Sequence, residues 1–274
     1  MVPLGRVNVA DRAELKYSRG MRVLICLILL TAATLSVAHP EDEFCVPGED
    51  GLDPSLCEAL NAMQSGESTR PLLDDAGNER GAMSTLWLYT KIGVGHILPG
   101  GLDHILFVLA LMLTSTQLRP LVLQITMFTL AHSITLGLAA AGWVSLNSAW
   151  VEALIAATIA FVAIENIFVK QLPSWRLPVV FLFGLLHGLG FAGFFGQLSL
   201  PDNQFLSGLI GFNVGVEIGQ LSVLAVAVLI ALFVQRQFGW QDSGREYRRF
   251  VVIPASLVIG GIGLVWTVER LLAV

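Results

Sequence analysis

Charge is what this sequence lacks. Only 14% of its 274 residues are Asp, Glu, Lys or Arg, while 54% are hydrophobic. A soluble domain of this size carries about a quarter charged residues, so the chain cannot coat itself for water and lipid is its natural solvent. Nor is there a Lys/Arg-rich face of the kind that binds nucleic acid. A Gly-x-x-x-x-Gly-Lys-Ser/Thr loop for ATP phosphates is absent as well. Cysteines number three. The single polar stretch, between His39 and Ala82, is too short for a second globular domain.

The apolar run Val23 to Leu30 follows Met21-Arg22 and leads to Ser36-Val37-Ala38. Small residues at the −3 and −1 positions after a short apolar core predict a signal peptide over 1–38, cleaved before His39, with Met21 an alternative start and an uncleaved anchor the competing reading. Residues 39–82 hold eleven Asp/Glu against two Arg and form an acidic extracytoplasmic segment, expected to be largely disordered. Cys26 would leave with the leader, whereas a Cys45–Cys57 bridge suits an oxidising compartment.

From residue 83 to 274 the pattern predicts an all-α polytopic membrane protein, a bundle of about six transmembrane helices with a half-helix and break before the first span. The spans are Gly101–Ser115, Leu121–Gly142, Ala149–Val169, Leu177–Gly196, Phe205–Val234 and Phe250–Ala273, with Met83–Leu98 dipping in ahead of Pro99-Gly100-Gly101. Arg119, Lys170, Arg176, Arg236, Arg245, Arg248 and Arg249 fall in alternate loops, and the intervening loops near 143–147 and 197–204 have no Lys or Arg. Basic loops stay inside. The expectation is therefore a bacterial inner-membrane protein with its mature N-terminus in the periplasm.

Polar groups within spans are expensive in hydrocarbon and are functional by default. Four of the five histidines lie in or beside spans: His96, His104, His132 and His187. Asp103, Glu165 and Glu217 accompany them, with the amides Gln124, Asn166, Asn213 and Gln220. The Pro-Gly-Gly break lets His96 fold back toward Asp103 and His104, and non-helical backbone at that depth must line a cavity or be buried in protein. Asn213 and Glu217 share one helix face. A lone intramembrane histidine reads as readily as an interhelical hydrogen bond. Four histidines with three carboxylates point instead to a metal or proton site, and imidazole suits nickel, cobalt, zinc and copper alike.

At these residues the chain resembles the HupE/UreJ family of hydrogenase- and urease-associated membrane proteins, regarded as nickel or cobalt permeases. The resemblance rests on a leader ending just before a His, on His96…Asp103-His104, Ala131-His132-Ser133, Leu186-His187-Gly188 and Asn213…Glu217. The spacing from His96 to Asp103 is one residue longer than the family's, and Pro99 stands away from His96, which marks a divergent branch. The resemblance implies metal transport through His96, Asp103 and His104. The residues add His132, His187, Asn213 and Glu217 near midplane and Glu165 as an inner step. The expected function is a secondary permease for a divalent metal ion (Ni, Co or Zn). Its partners are lipid, the ion, and either a second copy or metalloenzyme-maturation proteins. An intramembrane zinc hydrolase and a haem-binding electron-transfer subunit using His132 and His187 as axial ligands are the competing readings.

Overall fold

A computed structural model describes residues 81–115, 117–191, 202–238 and 244–273. The leader, the Cys45–Cys57 pair and nearly all of the acidic segment lie outside them. Among the described residues the regular structure is entirely helical: α1 (Ala82–Ile97), α2 (Leu102–Leu113), α3 (Leu118–Ala140), α4 (Ser148–Phe168), α5 (Arg176–Gly190), α6 (Asp202–Phe238) and α7 (Gly244–Leu272), the last with a π-helical turn at Arg248–Val252.

Four of these helices, α3, α4, α6 and α7, are long and apolar enough to cross a membrane, and α1 with α2 makes a fifth span if the bent pair counts as one. The sixth expected span corresponds to α5, whose 15 residues are fewer than the roughly 20 a straight crossing needs. At about 1.5 Å per residue, the 37 residues of α6 reach well beyond the hydrocarbon. The chain is thus a polytopic helical membrane protein, with the expected break in its first span.

That break is local chemistry. Pro99 has no N–H to donate, and a Cβ on Gly101 would stand 2.4 Å from the His96 carbonyl oxygen, so only glycine lets the chain turn there. α1 and α2 consequently meet at 70°. α3 ends in a Schellman motif: Gly142 takes φ 75°, its N–H reaches Ala139 O at 2.9 Å, and Trp143 N–H reaches Leu138 O at 2.9 Å. Asn147 then caps α4 by accepting Ala149 N–H at 3.0 Å.

Close approach rests on glycine too. α1 packs along α6, α3 along α5, and α4 along α7. A Cβ on Gly215 would lie 2.1 Å from Thr90 O, and one on Gly188 would lie 2.3 Å from His132 O. Without a hydrophobic drive between helices in lipid, such small-residue seams are what lets backbones touch. α2 sits inside the bundle, with Phe107, Val108, Ala110 and Leu111 fully buried. The outer faces carry Leu130, Phe161, Leu229 and Phe233, all exposed, as lipid-facing surfaces do.

The two ends of the bundle differ. At one, Arg248 donates to Val169 O at 2.8 Å and Ile167 O at 2.7 Å, and Arg176 joins Thr114, Glu165 and Asn166. This is the basic end. At the other, Trp87, Trp143 and Trp150 are exposed, in the manner of an interfacial aromatic belt.

Candidate metal centre

The break between α1 and α2 puts His96 and His104 face to edge, with ring centroids 4.9 Å apart and planes 72° apart. The α3–α5 seam brings in the other two imidazoles. His132 lies 5.9 Å and His187 5.3 Å from the His104 ring, again edge-on. His104 is therefore the hub. His96, His104 and His132 each offer a ligand atom, all within 4.8 Å of one another, and so do Asp103, His104 and His187. Metal–nitrogen bonds of about 2.1 Å set tetrahedral donors about 3.4 Å apart, so small side-chain rotations would close either triad on an ion.

Each fixed imidazole is held on one side and bare on the other. Asp103 Oδ1 lies 3.0 Å from His104 Nδ1, Asn213 Oδ1 lies 3.2 Å from His132 Nδ1, and Thr158 Oγ1 lies 3.0 Å from His187 Nε2. Partners of this kind set the tautomer and orientation of metal-binding histidines. The remaining nitrogens, His104 Nε2, His132 Nε2 and His187 Nδ1, are buried with no hydrogen-bond partner, as is His96 Nε2. An unpaired buried polar group costs about 1–3 kcal/mol. A purely structural cluster would not leave four of them in one place.

The wall around these nitrogens is aromatic. Phe107 and Phe128 stand 5.4 and 4.9 Å from His187, and Phe191 and Phe212 stand 4.2 and 5.4 Å from His96. This shell lowers the local dielectric and strengthens any ion–ligand contact within it.

The sequence-derived candidates separate into three places. His96, Asp103, His104, His132 and His187 come together, and Asn213 serves them as the partner of His132. Glu217 stands one turn along α6 from Asn213, where its Oε1 accepts the Thr126 hydroxyl at 2.6 Å and its Oε2 is buried without a hydrogen bond. Glu165 stands apart near the basic end, 3.4 Å from Arg176. Thr158 and the four phenylalanines were missed, because hydroxyls and rings in an apolar run carry no sign of which way they face.

The HupE / UreJ protein family model matches residues 74–270. The chain belongs to the HupE/UreJ family. No curated protein and no solved structure matches it. The HupE/UreJ match covers the described helices up to residue 270, and with them all the residues of the histidine cluster.

Proposed function

We propose that this protein is a secondary permease for a divalent transition-metal ion, nickel or cobalt, and that the imidazole cluster is its binding station. The carrying observation is the set of four inward imidazoles from α1, α2, α3 and α5, each with a buried ring nitrogen lacking a hydrogen-bond partner. The association of the HupE/UreJ family with nickel and cobalt uptake supports the same reading. In this account the basic end faces the cytoplasm of a bacterial inner membrane, following the positive-inside rule.

The chemistry follows from the donors. An ion arriving from the aromatic-belt end meets the broken helix, loses water to His96 and His104, and gains His132 or the Asp103–His187 side as the set closes. Nitrogen donors suit borderline cations such as nickel and cobalt better than magnesium or calcium. Binding requires neutral imidazole and so competes with protons, which links ion passage to the proton gradient. Asp103, Asn213 and Thr158 already hold three of the rings, so the ion meets oriented donors.

The zinc-hydrolase reading draws support from Asp103 beside His104 and His187, a donor set found in catalytic zinc sites. It differs in requiring a tightly retained ion. Haem fits poorly: Phe128 packs against both His132, at 6.3 Å, and His187, at 4.9 Å, where a porphyrin would have to lie. The test is nickel or cobalt uptake into proteoliposomes. Full-length protein should carry ions that protein-free vesicles exclude, and His104→Ala should abolish the uptake. Equal uptake by wild type and His104→Ala would sink the proposal.

A further inference from the structure

A second cluster of donors lies on the same three helices that hold His104, His187 and the Thr158 partner. Arg176, the first residue of α5, is 1% exposed. Its Nη2 donates to Asn166 Oδ1 at 3.0 Å and lies 3.4 Å from Glu165 Oε2, while its Nη1 donates to the Thr114 hydroxyl. Thr114 donates in turn to Asn166 Oδ1, and Asn166 Nδ2 is fixed by Ala110 O at 2.7 Å. Glu165 is 8% exposed and neither of its carboxylate oxygens accepts a hydrogen bond. Three oxygens, one from Thr114 at the C-cap of α2 and two from α4, thus converge on one guanidinium. Counting residues along α2 and α5 at about 1.5 Å each, this cluster lies about 15 Å from the histidines, toward the basic end. Phe107, Leu111, Ile159, Val162, Val180 and Phe183 fill the space between.

We infer that Thr114, Glu165 and Asn166 form an oxygen-only cation station for the same divalent metal, the release site, which the guanidinium of Arg176 occupies and closes when no ion is passing. The inference rests on the permease reading. A structural clasp alone would be better served by a carboxylate hydrogen-bonded to its arginine. Here the charge contact is made at 3.4 Å and both oxygens of Glu165 keep their acceptor capacity. A guanidinium is also a poor thing to bury unless its site is built for a cation.

The charges define the exchange. With Arg176 seated, one carboxylate faces one guanidinium and the station is neutral. A dication leaving the histidines brings two positive charges, repels the guanidinium, and takes Glu165, Asn166 Oδ1 and the Thr114 hydroxyl as ligands while Arg176 swings to the cytoplasm. A nitrogen-rich site followed by an oxygen-only site is a descending ladder of affinity for nickel or cobalt, which favours release. The apolar plug and the seated arginine keep protons and other cations from leaking between turnovers.

Full-length protein in proteoliposomes tests this, with equilibrium nickel binding and nickel uptake measured on each variant and uptake normalised to binding-competent protein. Arg176→Gln should keep His104-dependent binding and raise uptake about tenfold, a change of about 1.4 kcal/mol in the barrier. Arg176→Lys, which keeps the charge but cannot hold Thr114 and Asn166 together in a two-pronged grip, should raise it less. Glu165→Gln should keep binding and lower uptake about tenfold. A merely structural clasp gives no such opposite signs, because loosening it lowers folded protein alone. Should Arg176→Gln fail to fold, Arg176→Lys and Glu165→Gln decide the matter. Unchanged or reduced uptake in Arg176→Gln or Arg176→Lys, or unchanged or raised uptake in Glu165→Gln, overturns the release station and leaves the histidine site standing. Absence of His104-dependent binding in wild type overturns the permease reading, and the release station with it.

Discussion

Asp103 and His104, neighbours in sequence, are also partners in space: Asp103 Oδ1 accepts the His104 backbone N–H at 2.8 Å and lies 3.0 Å from the His104 ring Nδ1. One carboxylate oxygen thereby fixes both the start of α2 and the direction of the hub imidazole, turning Nε2 into the cluster, where it is buried and has no hydrogen-bond partner.

Replacing Asp103 with Asn keeps the shape and removes the charge that holds His104. Loss of such an orienting partner typically costs 10- to 100-fold in metal affinity. Asp103→Asn should therefore bind nickel about 10- to 100-fold more weakly by titration, with the protein still folded. Unchanged affinity would show that the carboxylate does not orient the ligand.

Thr158 was invisible to sequence reasoning but holds His187 Nε2 at 3.0 Å. Thr158→Val is nearly isosteric and deletes only the hydroxyl. Nickel affinity should fall about tenfold while thermal stability in detergent changes little. A large stability loss with full affinity would assign the hydroxyl to packing instead.

Gly188 sets how closely α5 approaches His132, since a Cβ there would meet His132 O at 2.3 Å and the Thr135 hydroxyl at 2.3 Å. Gly188→Ala must push α3 and α5 apart, at a cost of about 1–3 kcal/mol, and should move His187 away from His132. Its thermal midpoint in detergent and its nickel affinity should fall together. Wild-type behaviour in both would mean that the seam is looser than the backbone contact implies.

Much of this architecture was legible because lipid makes polarity conspicuous. Pro99-Gly100-Gly101 announced the break, and the histidines with Asp103 announced the site. What one strand of sequence cannot carry is which faces meet. Arg176 read as a loop cation at the inner boundary, and it is instead the first residue of α5, buried under α2 and α4. Glu165 read as an inner step, and that it stands against that arginine could not be read from the sequence. The span expected over Leu177–Gly196 is described as the helix Arg176–Gly190, and positions 192–196 of that expectation lie outside the described residues.

Proton competition gives a further check on the ligands. Neutral imidazole binds metal and imidazolium does not. Nickel affinity should therefore be lost on acidification far enough to protonate the rings. Affinity independent of pH would point to amide and carbonyl donors in place of the histidines.

The most direct test is elemental analysis of detergent-purified protein before and after mild chelation, followed by nickel titration, with His104→Ala alongside. The account predicts little metal after chelation, then reversible binding of about one ion per chain at the imidazole set, lost in His104→Ala. No binding under any condition, or an ion that chelation cannot remove, would contradict a permease built on this site.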